Sequence, residues 1–255
     1  MRRSAALKVL GGVFLFVILG SLLSGEGRRN LGPLLASGVL VGFFLVIARL
    51  RYRPRQRAMQ DEARGLHLSY SASDPFRMLD GGFSLFRRTA RSYGEVANVM
   101  WGAWRGLQVR AFDYEHSESE DQVRRYSCAM ASIPGGWPAL VIRPETAVTT
   151  LADHLALPDI GFESERFDRA FEVRCGDRAF ASALIDARMM EWLLELAAPS
   201  GFEIGGGWIL AYRDQVQPWE TRGVLELVAA FIDRIPPVMH SLYPAPVPPP
   251  PDLPA

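Results

Sequence analysis

Two apolar segments near the N-terminus constrain this chain more than any other feature. Residues 9–24 carry no charged side chain, and a second uncharged run extends from Leu31 to Ala48. A helix of about 20 apolar residues crosses a bilayer core, and with their flanking residues both runs reach that length. We therefore predict a transmembrane helical hairpin within residues 1–57, with helices at about 5–25 and 31–48. The alternatives are a signal peptide, although no A-x-A cleavage pattern follows the first run, and a buried helical hairpin.

Arginine placement predicts the orientation of this hairpin. The connecting turn holds Arg28 and Arg29, whereas the second run is followed by five arginines, at Arg49, Arg51, Arg53, Arg55 and Arg57. Positive residues favour the cytoplasmic side of a membrane. We predict a multi-pass protein of the cell (plasma) membrane with both termini cytoplasmic. The five arginines are either a topology signal alone or a membrane-surface segment that contacts anionic lipids, at about 1 kcal/mol each.

Small residues recur at a helix-packing spacing in both apolar runs. Gly38 and Gly42 form a G-x-x-x-G pair, and Gly20 with Ser24 forms a similar small pair. Such spacing lets helix backbones approach closely in lipid. The pattern predicts packing of the hairpin on itself or pairing of two copies.

From residue 58 onward the pattern is that of an α+β domain. We predict this cytosolic domain over residues 58–235 and a disordered Pro-rich tail over residues 236–255. Short extended runs separated by glycine-containing turns indicate a mainly antiparallel sheet, with strands near residues 95–101, 107–116, 122–133, 139–143 and 167–175. Residues 202–212 are predicted to form a hairpin whose turn contains Gly205, Gly206 and Gly207. The uninterrupted apolar residues 139–142 suggest a strand that is buried on both faces.

Helix signals lie mainly in the second half of the domain. Besides a short helix near residues 59–65, Pro144 predicts the start of a helix to about residue 155, and Asp177 and Asp186 are predicted N-caps. Pro218 opens a last helix with one apolar stripe, formed by Val224, Leu227, Val228, Phe231 and Ile235. This order suggests a sheet or open barrel covered by helices, and a pleckstrin-homology-like barrel is one compatible arrangement.

The acidic stretch from Phe112 to Asp121 is the strongest candidate for chemistry. A metal site there would use Asp113, His116 and Glu118, but no second histidine or thiol lies nearby and the calcium-loop glycine is absent. We interpret residues 118–121 as a solvated hairpin tip. Asp113 lies in register with apolar positions, which predicts either a bulge near Ala111 or a carboxylate that faces the core, and we favour the bulge.

No other residues form a reactive set in the sequence. The chain lacks G-x-S-x-G, Walker A, H-E-x-x-H and G-x-G-x-x-G patterns, so we predict no catalytic residue and no cofactor. Cys128 and Cys175 lie in phase with apolar neighbours and are interpreted as core residues. Asp153 and His154 are adjacent on a predicted helix and cannot bond side by side. The 28 basic and 28 acidic residues cancel, which argues against nucleic acid as a partner.

Four stretches carry a resemblance to a known family. They are N-V-M-W-G-A-W-R-G-L-Q-V-R-A-F-D-Y, P-A-L-V-I-R-P-E, D-I-G-F-E-S-E-R-F-D-R-A-F-E-V and M-M-E-W-L-L. The chain resembles, roughly over residues 5–235, a family of uncharacterised bacterial membrane proteins of the high-GC Gram-positive type. The resemblance implies two N-terminal membrane helices followed by one domain, and it implies no activity and no site residues.

The sequence leaves three functional hypotheses. The first is a membrane-tethered cytosolic module that binds a protein partner and contacts membrane lipids through its anchor. The second is a membrane-bound hydrolase or metal-dependent enzyme that uses the region of Asp113, His116 and Glu118. The third is a sensor of anionic lipid surfaces that works through the arginines at 49–57.

Overall fold

The computed structural model describes residues 54–86, 93–119, 122–133, 136–145 and 157–244. The chain divides into two compact units, Met1–Arg57 and Ala58–Ala255. Within the described ranges, no helix is long and apolar enough to cross a membrane. Both apolar runs, with Gly20, Ser24, Gly38 and Gly42, lie outside those ranges, so the hairpin stays a prediction.

Six helices and eight strands are described. In chain order they are α1 (residues 54–65), β1 (Ser69–Ser73), β2 (Tyr93–Trp104), β3 (Leu107–Ser119), β4 (Gln122–Ser132), β5 (Leu140–Pro144), α2 (Glu165–Asp168), β6 (Phe171–Cys175), α3 (Arg178–Leu184), α4 (Ala187–Leu194), β7 (Gly201–Gly205), β8 (Trp208–Asp214), α5 (Thr221–Ile232) and α6 (Val238–Leu242). Short 3-10 helices occur at Met78–Asp80, Ser84–Phe86 and Pro218–Glu220.

The eight strands form one antiparallel sheet in the order β1-β2-β3-β4-β8-β7-β5-β6. The predicted α+β class with a mainly antiparallel sheet is confirmed. Strands β1 to β4 follow one another as a meander, but the β7–β8 hairpin lies between β4 and β5. The sheet is open, with β1 and β6 at its two edges.

Local signals explain several elements. The Asp177 side chain accepts the N–H of Phe180 at 3.0 Å, and the Asp186 side chain accepts the N–H of Met189 at 2.9 Å, so both predicted N-caps are confirmed. The β7–β8 turn places Gly206 and Gly207 at φ 57° and 77°, a left-handed pair that two-residue hairpin turns require. Strand β5 is buried along its whole length, as its apolar run predicts.

Two element boundaries differ from the sequence prediction. Pro144 is the last residue of β5 and pairs with Phe171, so it belongs to a strand, while residues 146–155 of the predicted helix lie outside the described ranges. The strand expected from residue 167 begins at Phe171, because Ser164 caps α2 and its Oγ accepts the N–H of Phe167 at 3.3 Å. A local cap therefore outweighs the alternating pattern at residues 167–170.

The folded domain extends beyond residue 235, where the sequence prediction ends it. Helix α6 follows Pro236 and Pro237, and Met239 within it is fully buried. The indole Nε1 of Trp137 donates to the Tyr243 carbonyl oxygen at 3.0 Å. The predicted disordered tail is therefore wrong for residues 236–243, while residues 245–255 lie outside the described ranges.

Both faces of the sheet are buried, and alternation along each strand divides the core in two. On β8, Ile209 and Ala211 belong to the larger core, which α5 covers with its buried stripe. The intervening Leu210 and Tyr212 face a second, smaller core. That second core consists of Met78, Phe83, Leu85, Phe86, Val96, Val99, Phe112, Tyr114, Cys128, Met130, Leu210 and Tyr212.

A segment without long helices or strands covers this second face. We call residues 74–86 the strap. It contributes four buried side chains to the second core, and Phe86 packs edge-on against Tyr114 with ring centroids 5.0 Å apart. At its start the Asp74 carboxylate accepts the N–H groups of Phe76 at 2.9 Å and Met78 at 2.7 Å, which fixes the first turn.

The carboxylate of Glu203 on β7 ties the strap to the sheet. Its Oε2 accepts the N–H of Ser84 at 2.5 Å. Its Oε1 accepts the Ser84 hydroxyl at 2.5 Å and the N–H of Leu85 at 2.9 Å. Glu203 is only 2% exposed, so three donors from the strap replace the water that this carboxylate loses on folding.

Burial raises the pKa of Glu203 to about 7, because a charged carboxylate is disfavoured away from water. The hydrogen bonds from Ser84 and Leu85 and the positive charge of Arg143 act in the opposite direction and limit the increase. The strap is therefore held by a group that changes charge near neutral pH.

Glu203 should make the stability of the fold depend on pH. The folded chain holds this proton more tightly than the unfolded chain, whose carboxyl has a pKa of 4.5. The stabilisation is fully present below pH 4.5 and is lost as the pH rises through about 7, a change of about 3 kcal/mol in the free energy of unfolding. Denaturant unfolding of the purified chain across this range, followed by tryptophan fluorescence, measures it.

Glu203→Gln is the matched variant, because glutamine has the same shape and does not ionise. It should lose about 1 kcal/mol at low pH, since its NH₂ group cannot accept one of the strap's N–H groups. Its free energy of unfolding should then lack this decrease between pH 4.5 and 7. An unchanged pH slope in the variant would show that Glu203 is not the responsible group.

Gly201 makes room for the Tyr212 ring in the neighbouring strand. The two residues are paired in register, and a Cβ at position 201 would overlap the phenol ring. Tyr212 is 9% exposed, so its ring has little space into which it can move. We expect Gly201→Ala to lower the free energy of unfolding by about 1–3 kcal/mol. Gly223→Ala in α5, where nothing lies within 4 Å of the added Cβ, should raise it by about 0.5–1 kcal/mol in the same assay.

Candidate functional site

The sheet separates the residues that the sequence offers as a metal or acid–base site. Asp113 is in phase with Val109 and Ala111 of the larger core, whereas His116 lies on the opposite side of β3 beside Tyr114, whose Oη is 3.3 Å from His116 Nδ1. The side chain of Glu118 lies outside the described part of the structure. Within that part, no three His, Cys, Asp or Glu side chains are grouped to hold a metal ion. A site that joins Asp113 to His116 is therefore wrong.

The bulge that the sequence predicts near Ala111 lies instead on the neighbouring strand. Ala97 pairs with Asp113 and Met100 pairs with Ala111, so two residues of β2, Asn98 and Val99, lie opposite the single residue Phe112. Strand β3 keeps its alternation, and Asp113 faces inward at 6% exposure. Phe112 is buried without any flip of β3, because the strap covers that face.

Asp113 anchors the edge strand β1 through the bulge. Asn98 adopts a left-handed backbone conformation with φ 54° and donates from Nδ2 to Asp113 Oδ2 at 2.7 Å. Its Oδ1 accepts the Tyr70 hydroxyl at 3.0 Å. Burial and the nearby Asp113 charge raise the pKa of Tyr70 to about 12, so Tyr70 stays protonated as a donor. This chain of bonds fixes the middle of β1 to the core.

The two edges of the sheet differ in their outer hydrogen bonds. Along β6, the N–H of Ile160 donates to the Val173 carbonyl at 2.8 Å, and the N–H of Cys175 donates to the Pro158 carbonyl at 3.2 Å. Residues 158–160 thus cap that edge. Along β1, the described backbone pairs with β2 alone, and its outer edge meets no other described backbone group. Among the described residues, one edge of the sheet is therefore capped and the other is open.

Strand β1 also lacks the features that usually block an open edge. Its sequence is Ser-Tyr-Ser-Ala-Ser, with no proline and no charged side chain. Ser69, Ala72 and Ser73 are exposed. Ser73 donates its N–H to the Oγ of Ser71 at 3.3 Å. Apart from the Ser73 N–H, which the Ser71 Oγ already accepts, the composition and exposure of β1 suit the addition of another extended chain.

An arginine lies between two aromatic rings on the second face of the sheet. The guanidinium carbon of Arg110, on β3, is 4.0 Å from the centroid of the Phe76 ring and 4.3 Å from that of the Trp208 ring. Phe76 belongs to the strap and also packs edge-on against Trp101, with centroids 5.3 Å apart. The stack therefore joins the strap, β3 and β8.

A cavity of about 350 Å³ opens beside this stack. Its floor is apolar and buried, formed by Met78, Phe83 and Met130. Its exposed rim consists of Arg77, Asp80, Gly81, Gly82 and Gly206.

The Arg110 charge is partly removed from water without a close carboxylate. Burial lowers the pKa of Arg110, and the nearby charge of Asp74 acts in the opposite direction. Both oxygens of Asp74 already accept backbone N–H groups of the strap. The Oδ2 of Asp80 lies 3.7 Å from the Nε of Arg77, so this carboxylate pairs with a different arginine. No carboxylate of the described residues forms an ion pair with Arg110, so the guanidinium edge is available to a ligand.

A second charged cluster on this face forms ion pairs within the sheet, and within the described residues Nη2 of the buried Arg143 contacts Glu172 but has no hydrogen-bond partner. Arg143 and Arg174 donate from Nε to the two oxygens of Glu172, each at 2.5 Å. Burial alone would raise the pKa of Glu172, but the hydrogen bonds and charges of Arg174 and Arg143 outweigh it and lower the pKa. This cluster joins β5 to β6, where Arg143 and Glu172 are register partners. We interpret it as a structural clamp.

The remaining sequence candidates fall in three groups. Arg55 and Arg57 lie in α1, while Arg49, Arg51 and Arg53 lie outside the described residues. Cys128 and Cys175 are buried free thiols, as predicted, and burial raises the pKa of both thiols, which disfavours a reactive thiolate. Asp153 and His154 also lie outside the described ranges.

Sequence reasoning missed Arg110 and Glu203. The available signal for Arg110 was its phase, since it alternates with Ala111 and therefore shares a face of β3 with the aromatic Phe112 and Tyr114. Glu203 lies between two apolar residues of β7 in the same way. A charged side chain that faces a buried side of the sheet requires a polar partner. The sequence does not show which distant residue supplies that partner.

Comparisons with known proteins identify a similar fold and no family. No protein-family model matches the chain, and no curated protein matches it. The crystal structure of the mycobacterial trehalose monomycolate transport factor A, TtfA, resembles the chain with a TM-score of 0.51 and 17% sequence identity. The match covers 77% of this chain and 99% of the TtfA chain. At this identity the likeness supports a shared fold.

Proposed function

We propose that this protein is a membrane-tethered, non-enzymatic cytosolic module that binds a protein partner by adding an extended segment of that partner to β1. The observation that carries the proposal is the contrast between the two sheet edges. Residues 158–160 cap β6, whereas the outer edge of β1 meets no described backbone group. Strand addition at an open edge gains main-chain hydrogen bonds and takes its specificity from neighbouring side chains.

The tether in this proposal is the pair of apolar runs at residues 9–24 and 31–48. By the positive-inside rule, the arginines at 49–57 favour a cytoplasmic position for both termini. The protein with the similar fold, TtfA, is a trehalose monomycolate transport factor. Assistance to a membrane transport process is one role that a tethered binding module can fill.

The two other functional hypotheses have less support. An enzyme built on Asp113 and His116 conflicts with their positions on opposite faces of β3. A sensor of anionic lipids through the arginines at 49–57 rests on the sequence alone.

The Ser73→Pro variant tests strand addition at β1. The Ser73 N–H bonds to Ser71 Oγ, so proline there removes a donor of the edge strand and introduces a ring that disfavours pairing. The full chain, cross-linked in its native membrane and purified in mild detergent, should recover a partner with wild type and with Ser73→Ala. Quantitative mass spectrometry should show that Ser73→Pro recovers this partner at least several-fold less.

Thermal melting of the three proteins is the control for folding. A Ser73→Pro protein that melts with the wild type and retains the partner in full would contradict strand addition. Repeated recovery of the bait alone, from all three proteins, would contradict the interaction module as such.

A further inference from the structure

We propose that the cavity beside Arg110 is a binding site for a small anionic ligand, one that joins a carboxylate or phosphate group to a flat apolar body. This inference goes beyond strand addition at β1 and does not depend on it. It rests on the geometry of the guanidinium, on the absence of an ion-pair partner for its charge among the described residues, and on the shape of the cavity.

The aromatic stack leaves one direction open to a ligand of Arg110. The rings of Phe76 and Trp208 lie 4.0 Å and 4.3 Å from the guanidinium carbon and occupy positions over the group. Cation–π contacts stabilise the charge on these sides but satisfy none of its N–H donors. Those donors point outward in the plane of the guanidinium, where a carboxylate or phosphate can accept two of them at once.

Charge balance favours an anion at the same place. Asp74 is the carboxylate that acts on Arg110, and its two oxygens bind the strap backbone. Asp80 on the rim lies beside Arg77, and both of these side chains are largely exposed. A partly desolvated cation without an ion-pair partner among the described residues gains most from an anionic ligand, because that ligand supplies the missing charge in a site of reduced dielectric.

The cavity shape selects the rest of the ligand. A volume of about 350 Å³ lies at the lower end of the range for small-molecule sites. The floor of Met78, Phe83 and Met130 suits an aromatic ring or a short acyl group. On the rim, Gly82 and Gly206 have φ of 78° and 57°, and nothing lies within 4 Å of the position that a Cβ would take at either residue. The entrance is therefore unobstructed at both glycines.

Fluorinated probes test the site by ¹⁹F NMR on the full chain in detergent. The probes are 4-fluorobenzoate, 4-fluorophenyl phosphate and the neutral 4-fluorobenzamide. We expect saturable binding of at least one anionic probe. The neutral amide should bind at least roughly tenfold more weakly than that anion. Arg110→Gln should weaken the anion by at least about tenfold, while Arg222→Gln, which changes an exposed arginine of α5, should leave it unchanged. The preferred anion distinguishes a carboxylate ligand from a phosphate ligand.

If Arg110→Gln lowers the melting temperature, the Arg110→Lys variant provides a second test. Lysine retains the charge but lacks the planar fork, so it should bind the anion several-fold less tightly than arginine. Three results would overturn the proposal. They are no saturable binding of either anion to folded wild-type protein up to about 10 mM, equal binding of the neutral amide, and binding that is insensitive to both Arg110 variants.

Discussion

The second face of this sheet depends on one buried carboxylate. Glu203 receives three hydrogen bonds from Ser84 and Leu85, and through them the strap stays on the sheet. The strap in turn buries Phe112 and Tyr114 and supplies Phe76 to the Arg110 stack. Loss of this anchor would expose buried aromatic residues of β3 and β8 at once, so the local interaction has a consequence for the whole face.

The two-sided burial also decides what chemistry the domain can perform. In any strand, Asp113 and His116 would point to opposite faces, because they are three positions apart. Here the residues of β3 alternate between two cores, so neighbouring ionisable groups are directed apart. Asp113 takes part in the bond chain to Asn98 and Tyr70, and His116 lies beside Tyr114 on the other face. Each group contributes to packing and position in its own core.

Sequence patterns predicted the parts of the fold that depend on local interactions. The caps at Asp177 and Asp186 and the glycine turn at Gly206 are set by residues within a few positions of each other, and all three are confirmed. The incorrect start of the sixth strand also results from a local interaction, one that the alternating pattern did not reveal. Residues 167–170 alternate like a strand, but the cap at Ser164 forms a helical turn there.

Non-local features were beyond the reach of the sequence. The insertion of β7 and β8 between β4 and β5 depends on pairing between segments far apart in the chain. The candidate site is similar, because Phe76, Arg110 and Trp208 come from three separate segments that only the strand order brings together. The phase of Arg110 along β3 shows that the side chain is directed inward, and the topology alone shows what it meets.

The charged groups of this domain differ in how their charge is balanced, and that difference singles out Arg110. Glu203 has the strap donors, Asp113 has Asn98, and Glu172 has two arginines. Arg110 has aromatic faces, which stabilise a cation but accept none of its N–H groups in the guanidinium plane. Within the described residues, no carboxylate pairs with these donors, and they are the groups that the proposed anionic ligand would bind.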